Sequence, residues 1–248
     1  MRRRIYLREL LWTHGLRAGV NSVLRHERTA GYACFANAHM CGEATQDADL
    51  YAAMRAATWV FPDGAPVALM QRVLRTGTHH RVSGPDFTLS ILKACAQEQL
   101  PVFFFGGTAD ALQQLHRTLA RTLPSLPIAG HLSPRFAHWS TQEEHEQARI
   151  IAESGARICF VGLGCPKQEK WMFRNAAATH TMCLGIGAAI PMLAGQTPRA
   201  PKWVRQFHSE WLYRWQQEPA RLTRRYTQGN LNFAKAAWDE LRRGITTT

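Results

Sequence analysis

Asp63 is a carboxylate that could act as a general base. It stands in the string Phe61-Pro62-Asp63-Gly64, directly after a short apolar run, and the glycine beside it would let a ligand approach. A carboxylate shielded from water at such a position can accept a proton from a hydroxyl group. From spacing alone, however, an Asx-turn or a helix N-cap is the favoured interpretation of this residue.

Three glycine-containing strings are suited to bind anions. The first, Arg81-Val82-Ser83-Gly84-Pro85-Asp86, places a cation and a glycine at a predicted helix start. Helix N-termini bind anions, and arginine grips phosphate oxygens in bidentate fashion. The second string is Gly106-Gly107-Thr108, and the third covers residues 162–169. None matches the Walker A pattern, and the dinucleotide fingerprint is incomplete because Lys167 stands where its last glycine would be. Together the strings indicate a phosphate-bearing ligand.

Two motifs resemble metal-binding strings, but neither is interpreted as a metal site. Asp47-Ala48-Asp49 precedes a helical run, far from any predicted strand end, and i,i+2 positions on a helix do not face together. We therefore interpret it as helix-start charge. His79-His80 has no cysteine or carboxylate at metal-ligand spacing, so no metal is predicted. Asn37 follows the first predicted strand and, taken alone, would only satisfy a turn.

Residues 29–198 alternate short β-branched or aromatic runs with helical stretches, which predicts an α/β fold. We expect a Rossmann-like, mostly parallel sheet with helices on both faces. The predicted strands are Tyr32–Ala36, Thr58–Phe61, Val102–Phe105, Pro127–Gly130, Ile158–Val161 and Met182–Ile186. The predicted helices are Thr45–Ala57, Val67–Leu74, Phe87–Glu98 with Asp86 as N-cap, Ala109–Arg121, Glu143–Glu153 and Gln168–Ala178. Ligands of such sheets bind beyond the carboxyl ends of the strands, which is where Asp63 and the glycine strings stand.

Residues 199–248 are predicted to form a helical appendage. An aromatic residue recurs every four positions at Trp203, Phe207, Trp211 and Trp215, and further helices are predicted from Pro219 and over Phe233–Leu241. Such a stripe more often packs on the domain than binds a ligand. Two other uses stay open, because the aromatic residues could lie at a membrane interface, or nearby arginines could close over a diphosphate.

Basic residues are concentrated at both ends of the chain, whose net charge is +12. The helical N-terminal segment, residues 1–28, carries seven Lys/Arg and two Asp/Glu, and residues 199–248 carry ten and four. Residues 29–198 are almost neutral, with thirteen and twelve. Two basic ends on a neutral middle favour an anionic partner such as nucleic acid, anionic lipid or phosphate. Charge that merely maintains solubility is the alternative.

The cysteines and the apolar runs indicate a cytosolic chain. Six cysteines are scattered without a CxxC pair, which predicts free thiols in a reducing compartment. No apolar run has the length needed to span a bilayer. Charged residues interrupt the apolar stretch behind Arg2–Arg4, so a signal peptide is not predicted.

An ordered set of strings from about Tyr32 to Tyr226 resembles the WecG/TagA/CpsF family of glycosyltransferases. The strings are Asn37-Ala38-His39-Met40, Pro62-Asp63-Gly64, the Arg81–Asp86 string, Phe105-Gly106-Gly107, Gly162–Trp171, Gly185-Ile186-Gly187-Ala188, Arg199–Trp203, Glu210–Arg214 and Glu218–Leu222. No single string is decisive, but the ordered set is highly specific.

The resemblance implies a hexosyltransferase that uses a UDP-sugar, inverts the anomeric centre and needs neither a metal nor another cofactor. Its acceptor would be a saccharide on polyprenyl diphosphate, in the synthesis of a cell-surface polysaccharide. The protein would be peripheral on an anionic membrane, at the cytoplasmic face of the plasma membrane. The resemblance makes Asp63 the general base, with Asn37 and Arg81 as further catalytic residues. The implied substrate-binding residues are Gly84, Asp86, Gly106, Gly107, Gly162, Gly164, Pro166, Gln168, Glu169, Gly187, Arg214, Arg221 and Arg224.

Two positions depart from the family pattern and keep alternatives open. Phe35 stands where many relatives have Thr, and Ile190-Pro191 stands where many have Phe-Asp, so the donor is not defined. A nucleotide-sugar binder without turnover is therefore an alternative. A nucleic-acid-binding protein is another, but helix-turn-helix and RRM signatures are absent and the middle of the chain is neutral, so no nucleic acid partner is predicted. Homo-oligomerisation is a further possibility.

Overall fold

The computed structural model describes residues 7–27, 30–74, 81–198, 200–201, 210–217 and 219–246. Within these ranges, six parallel strands form one sheet in the order β2-β1-β6-β5-β3-β4. The strands are β1 (Gly31–Ala36), β2 (Trp59–Pro62), β3 (Val102–Gly106), β4 (Ile128–Leu132), β5 (Ile158–Gly162) and β6 (Met182–Gly185). Strands β2 and β4 form the two edges. The predicted Rossmann-like α/β class is confirmed.

Helices cover both faces of this sheet. The described helices are α1 (Leu7–Leu10), α2 (Leu16–Leu24), α3 (Ala38–Ala44), α4 (Ala48–Ala56), α5 (Ala65–Val73), α6 (Gly84–Glu98), α7 (Ala109–Thr122), α8 (Thr141–Glu153), α9 (Lys167–Thr179), α10 (Ala189–Leu193), α11 (Glu210–Gln217) and α12 (Pro219–Thr246). No helix in the described ranges is long and apolar enough to cross a membrane.

Side chains alternate across the strands, so each face of the sheet has its own hydrophobic core. In β1, Tyr32 and Cys34 point to one core, while Ala33 and Phe35 point to the other. Helices α3, α4, α5, α8, α9 and α12 pack on what we call the first face, which carries Cys34. Helices α2, α6, α7 and α10 pack on the second face, which carries Phe35.

The segment before β1 covers the edge strand β2. The backbone N–H of Trp12 donates to the Val60 carbonyl at 2.8 Å, and the Gln71 side chain donates to the Trp12 carbonyl at 2.8 Å. In α2, Val20 and Val23 are buried in the second-face core. This helix therefore shares the core of the sheet. The division of the chain into three parts, with boundaries after residues 28 and 198, stays a prediction.

Helix α6 begins earlier than the sequence predicts. Its N-cap is Ser83, and Gly84 and Pro85 lie in its first turn, so the prediction of Asp86 as N-cap is wrong. Proline is compatible with the first turn of a helix because the N–H that it lacks has no intrahelical partner there. The first turn of α6 is thus built directly from the glycine-proline string.

Helix α12 is continuous, whereas the sequence predicted two helices after Pro219. Gly229 does not interrupt it, because the missing side chain lets α12 lie against α3. A Cβ on Gly229 would lie 2.8 Å from Nδ1 of His39, and a Cβ on Gly42 would overlap the Gly229 carbonyl oxygen. Phe233 and Ala237 of α12 are buried in the first-face core. Tertiary packing therefore outweighs the low helix propensity of glycine at this position.

Candidate active site

Asp63 lies at the carboxyl edge of the sheet, immediately after β2. Its backbone N–H donates to the Ala36 carbonyl at the end of β1 at 2.8 Å, which fixes the residue beside the neighbouring strand. The Arg81 guanidinium Nε lies 3.9 Å from Asp63 Oδ1, and both side chains are mostly buried. A Cβ on Gly84 would lie 3.7 Å from Asp63 Oδ2. The predicted base, the predicted cation and the first turn of α6 therefore meet at one point.

Asn37 follows β1 and is the neighbour of Asp63 across the sheet edge. The Asn37 side-chain oxygen accepts the Met40 N–H at 3.0 Å and so caps α3. A Cβ on Gly64 would lie 3.9 Å from Cβ of Asn37. The structural role expected of this asparagine is thus observed. The cap uses only its oxygen, which leaves the amide N–H groups as the part that could meet a ligand.

The Gln168 side chain joins the two loops that follow β5 and β6. Its Oε1 accepts the N–H groups of Gly164 at 3.2 Å and Gly187 at 3.1 Å. Its Nε2 donates to the Gly185 carbonyl at 3.0 Å and to Glu169 Oε1 at 2.7 Å. Gly164 and Gly187 both have positive φ, so glycine suits these turns. These four bonds use the full capacity of the amide, which makes Gln168 a positioning residue for both loops.

Glu169 lies beneath Gln168 and is fully buried. Burial raises the pKa of Tyr32 far above its usual range, and the neighbouring Cys34 and Glu169 raise it further. Burial and Glu169 likewise raise the pKa of Cys34. The carboxylate therefore lies among first-face core residues and accepts a hydrogen bond from Gln168.

Glycines 106, 107 and 162 are in close contact with the protein's own atoms. A Cβ on Gly106 would lie 2.7 Å from the Gly162 backbone, and one on Gly107 would lie 3.2 Å from Ile190. A Cβ on Gly162 would overlap the Ile190 side chain. Ile190, one of the departures from the family pattern, thus fills the space between the ends of β3 and β5. Packing explains why these positions are glycines, and their role in ligand binding stays a prediction.

The β5–α9 loop is tied to the loop that follows β4. The Cys165–Pro166 peptide bond is cis. Lys167 Nζ lies 3.4 Å from the centre of the Trp139 ring and donates to the Ala137 carbonyl at 2.9 Å. Burial lowers the pKa of Lys167, although Glu144 opposes this shift. The lysine that breaks the dinucleotide fingerprint is therefore engaged with the protein.

The Asp47-Ala48-Asp49 string is helix-start charge, as predicted. Asp47 Oδ1 accepts the Asp49 and Leu50 N–H groups at 3.1 Å, and its Oδ2 lies 2.6 Å from Lys170 Nζ. Burial raises the pKa of Asp47, but the hydrogen bond from Lys170 and the cap lower it more, so the net shift is downward. His79-His80 lies outside the described residues. Within the described residues, no cluster of three or more His, Cys, Asp or Glu could hold a metal ion.

The remaining predicted site residues are placed by their helices. Asp86 lies in the first turn of α6. Arg214 lies in α11, and Arg221 and Arg224 lie in α12, less than three turns before Gly229. Because Gly229 abuts His39, two residues after Asn37, α12 is anchored close to the end of β1. The predicted grip of these arginines on a diphosphate stays a prediction.

The other departure, Phe35, belongs to the core. Its ring lies 5.4 Å from that of Phe61 and 5.1 Å from that of Phe87, and the residue is buried. Sequence reasoning did not find the Gly185 carbonyl as a partner of Gln168, and no local signal marks it. It also missed the close α3–α12 contact, because Gly42 and Gly229 lie outside the helices predicted from the sequence.

The fold and this arrangement define a Rossmann-like α/β protein with a group of polar side chains at the carboxyl edge of its sheet. A model of the glycosyl transferase WecG/TagA/CpsF family matches residues 13–246, so the chain belongs to this family and is a glycosyltransferase. It is similar to the N-acetylglucosaminyldiphosphoundecaprenol N-acetyl-beta-D-mannosaminyltransferase of Bacillus spizizenii, with 28% identity over 76% of this chain and 72% of the relative. A relative of the same name from Bacillus subtilis is 25% identical over 72% of this chain and 68% of its own length.

Proposed function

We propose that the chain transfers a hexose-type sugar from a UDP-sugar to a saccharide carried on polyprenyl diphosphate. The observation that carries this proposal is the Asp63 carboxylate, held beside Arg81 at the carboxyl edge of the sheet. The names of both relatives describe an acceptor of this kind, N-acetylglucosaminyldiphosphoundecaprenol. The polymer that such a product would enter is a cell-surface polysaccharide.

The proposed chemical step is a single displacement that inverts the anomeric centre. Asp63 takes the proton of the acceptor hydroxyl, and the oxygen forms a bond to the anomeric carbon from the side opposite UDP. The bond between the anomeric carbon and the β-phosphate oxygen breaks, and its electron pair leaves with UDP. Asn37, which caps α3 at the end of the adjacent strand, is proposed to orient the sugar or the hydroxyl through its amide N–H groups.

Charge on the leaving UDP is proposed to be stabilised by fixed protein groups, without a metal. Preorganised cations and dipoles serve this purpose best in a cleft that excludes water. Arg81 supplies one cation, and the first turn of α6 supplies backbone N–H groups at a helix N-terminus. Arg214, Arg221 and Arg224 are the further cations that α11 and α12 would bring. Support also comes from Asp47, which is occupied by its cap and by Lys170.

The basic ends of the chain support a peripheral position on the cytoplasmic face of an anionic membrane. Each surface-proximal Lys or Arg contributes about 1 kcal/mol to attraction toward anionic lipids. Residues 199–248 carry ten such residues against four acidic ones. An acceptor anchored in a bilayer would be met at this surface.

Donor turnover tests the proposal. The purified chain would be incubated with N-acetylglucosaminyldiphosphoundecaprenol and a panel of UDP-sugars in EDTA, and UDP release would be followed. We expect release with one donor and no stimulation by added divalent cations. Measurable UDP binding without release from any donor would favour a nucleotide-sugar binder instead. Absence of UDP binding would contradict the proposal altogether.

A further inference from the structure

Helix α5 is apolar on its outer side as well as on its inner side. Val67, Met70 and Leu74 are buried in the first-face core. On the outer side, Leu69 is 60% exposed and Val73 is 50% exposed. Pro66 is also exposed and lies one turn before Leu69, so an exposed apolar stripe follows the length of the helix. We call Pro66, Leu69 and Val73 the α5 stripe.

The α5 stripe starts next to the candidate base. The helix begins at Ala65, two residues after Asp63. With a rise of about 1.5 Å per residue, Leu69 and Val73 lie about 8 Å and about 14 Å along the helix axis from Gly64. An acceptor whose hydroxyl contacts Asp63 carries its diphosphate and lipid on the side of the sugar that points away from the base. A lipid chain that leaves the sugar diphosphate along α5 would lie against the α5 stripe.

A basic residue borders the stripe. Arg72 is exposed and lies three residues after Leu69, which places it on the neighbouring line of the helix surface. A cation beside an exposed apolar surface matches a ligand that joins a diphosphate to a hydrocarbon chain. The acceptor in the relatives' names, a diphosphoundecaprenol, has this chemistry.

We infer that the α5 stripe binds isoprene units of the acceptor's polyprenyl chain. This inference rests on the proposed function. The stripe would hold a lipid-linked acceptor in register with Asp63, and it would contribute nothing to an acceptor without a long chain.

Two acceptors that differ only in the lipid test the inference. One is N-acetylglucosaminyldiphosphoundecaprenol, and the other carries the same sugar diphosphate on a short alkyl chain. In the double variant Leu69→Gln/Val73→Gln, KM for the long-chain acceptor should rise about tenfold or more, because two aliphatic side chains lose their apolar contact. Its kcat, and both constants for the short-chain acceptor, should stay unchanged.

A matched control uses an exposed apolar residue at the opposite edge of the sheet. Phe136 is 84% exposed in the loop after β4, and Phe136→Gln should leave both acceptors unaffected. An equal change for both acceptors in the α5 variant, or no change for either, would overturn the inference.

Liposome binding distinguishes a stripe that holds the acceptor lipid from one that inserts into the bilayer. Binding to liposomes without acceptor should be the same for the α5 variant and the unaltered chain. A parallel loss of liposome binding would assign the stripe to the bilayer and overturn the inference. No turnover of either acceptor by the unaltered chain would overturn the proposed function, and the inference with it.

Discussion

Gly42→Ala is a sharp test of how α12 is held against the domain. An alanine inside a helix normally stabilises it by about 1 kcal/mol relative to glycine. Here the added methyl group would overlap the Gly229 carbonyl oxygen of α12, which is backbone and cannot rotate away. Overpacking of this kind destabilises by about 1–3 kcal/mol. Displacement of α12 would also expose Phe233, whose burial stabilises by about 1.5–3 kcal/mol.

The net expectation is that Gly42→Ala lowers the free energy of unfolding by about 2 kcal/mol, once the gain in helix propensity is subtracted. Urea denaturation with linear extrapolation measures this change. Asn230→Ala serves as the control, because Asn230 is exposed on α12 next to Gly229 and its replacement should stabilise by a few tenths of a kcal/mol. Because α3 begins directly after Asn37, turnover should also fall in the Gly42 variant. A Gly42→Ala protein as stable as the unaltered chain would refute the described contact between α3 and α12.

Three further predictions concern single side chains. Gln168→Glu removes the amide donor and places a second carboxylate against Glu169, so kcat should fall at least tenfold at neutral pH. The kcat should recover partly in acid, where a proton shared by the two carboxylates restores a donor. A pH profile of kcat parallel to that of the unaltered chain would contradict this prediction. Cys165 is the one cysteine of the six that is not buried, so iodoacetamide should label it alone in the native protein. UDP should protect it from labelling, and Cys165→Ser should abolish labelling. Peptide mapping that finds label on other cysteines would argue against the described core. Because the pKa of Asp47 is lowered in the folded protein, its pairing with Lys170 stabilises the fold at neutral pH, and this stabilisation is lost as pH falls through the folded pKa. Lys170→Met should lower the free energy of unfolding at neutral pH by about 1 kcal/mol or less and should weaken its dependence on pH in the acid range. An unchanged pH dependence in the acid range would count against the ion pair.

Most of the fold could be predicted from the sequence because its signals are local. The strands are short β-branched or aromatic runs that stop at glycine or at Asn37 and Asp63, and alternation with helices implies a parallel sheet. Helices α3 and α10 were missed because each is short and contains a residue, Gly42 or Pro191, that local propensity disfavours. The continuity of α12 through Gly229 depends on contact with α3, which is remote in sequence.

The candidate site could be predicted only where its residues directly follow strands that the sequence reveals. Parallel topology brings the residues after β1 and β2 to one edge, so Asn37, Asp63 and Arg81 could be expected together. The clamp formed by Gln168 could not, because its partners follow two different strands and are backbone groups that no residue type reveals. Tertiary packing on Ile190 likewise accounts for Gly162, which sequence reasoning assigned to ligand binding.

The most direct test of the central claim compares Asp63→Asn with Asp49→Asn under identical turnover conditions. The second variant makes the same chemical change at an exposed carboxylate on α4. We predict that Asp63→Asn abolishes sugar transfer while UDP binding stays largely intact, and that Asp49→Asn keeps full turnover. Transfer retained in Asp63→Asn would contradict the assignment of Asp63 as the base, and transfer lost only in Asp49→Asn would point to the Asp-x-Asp string instead.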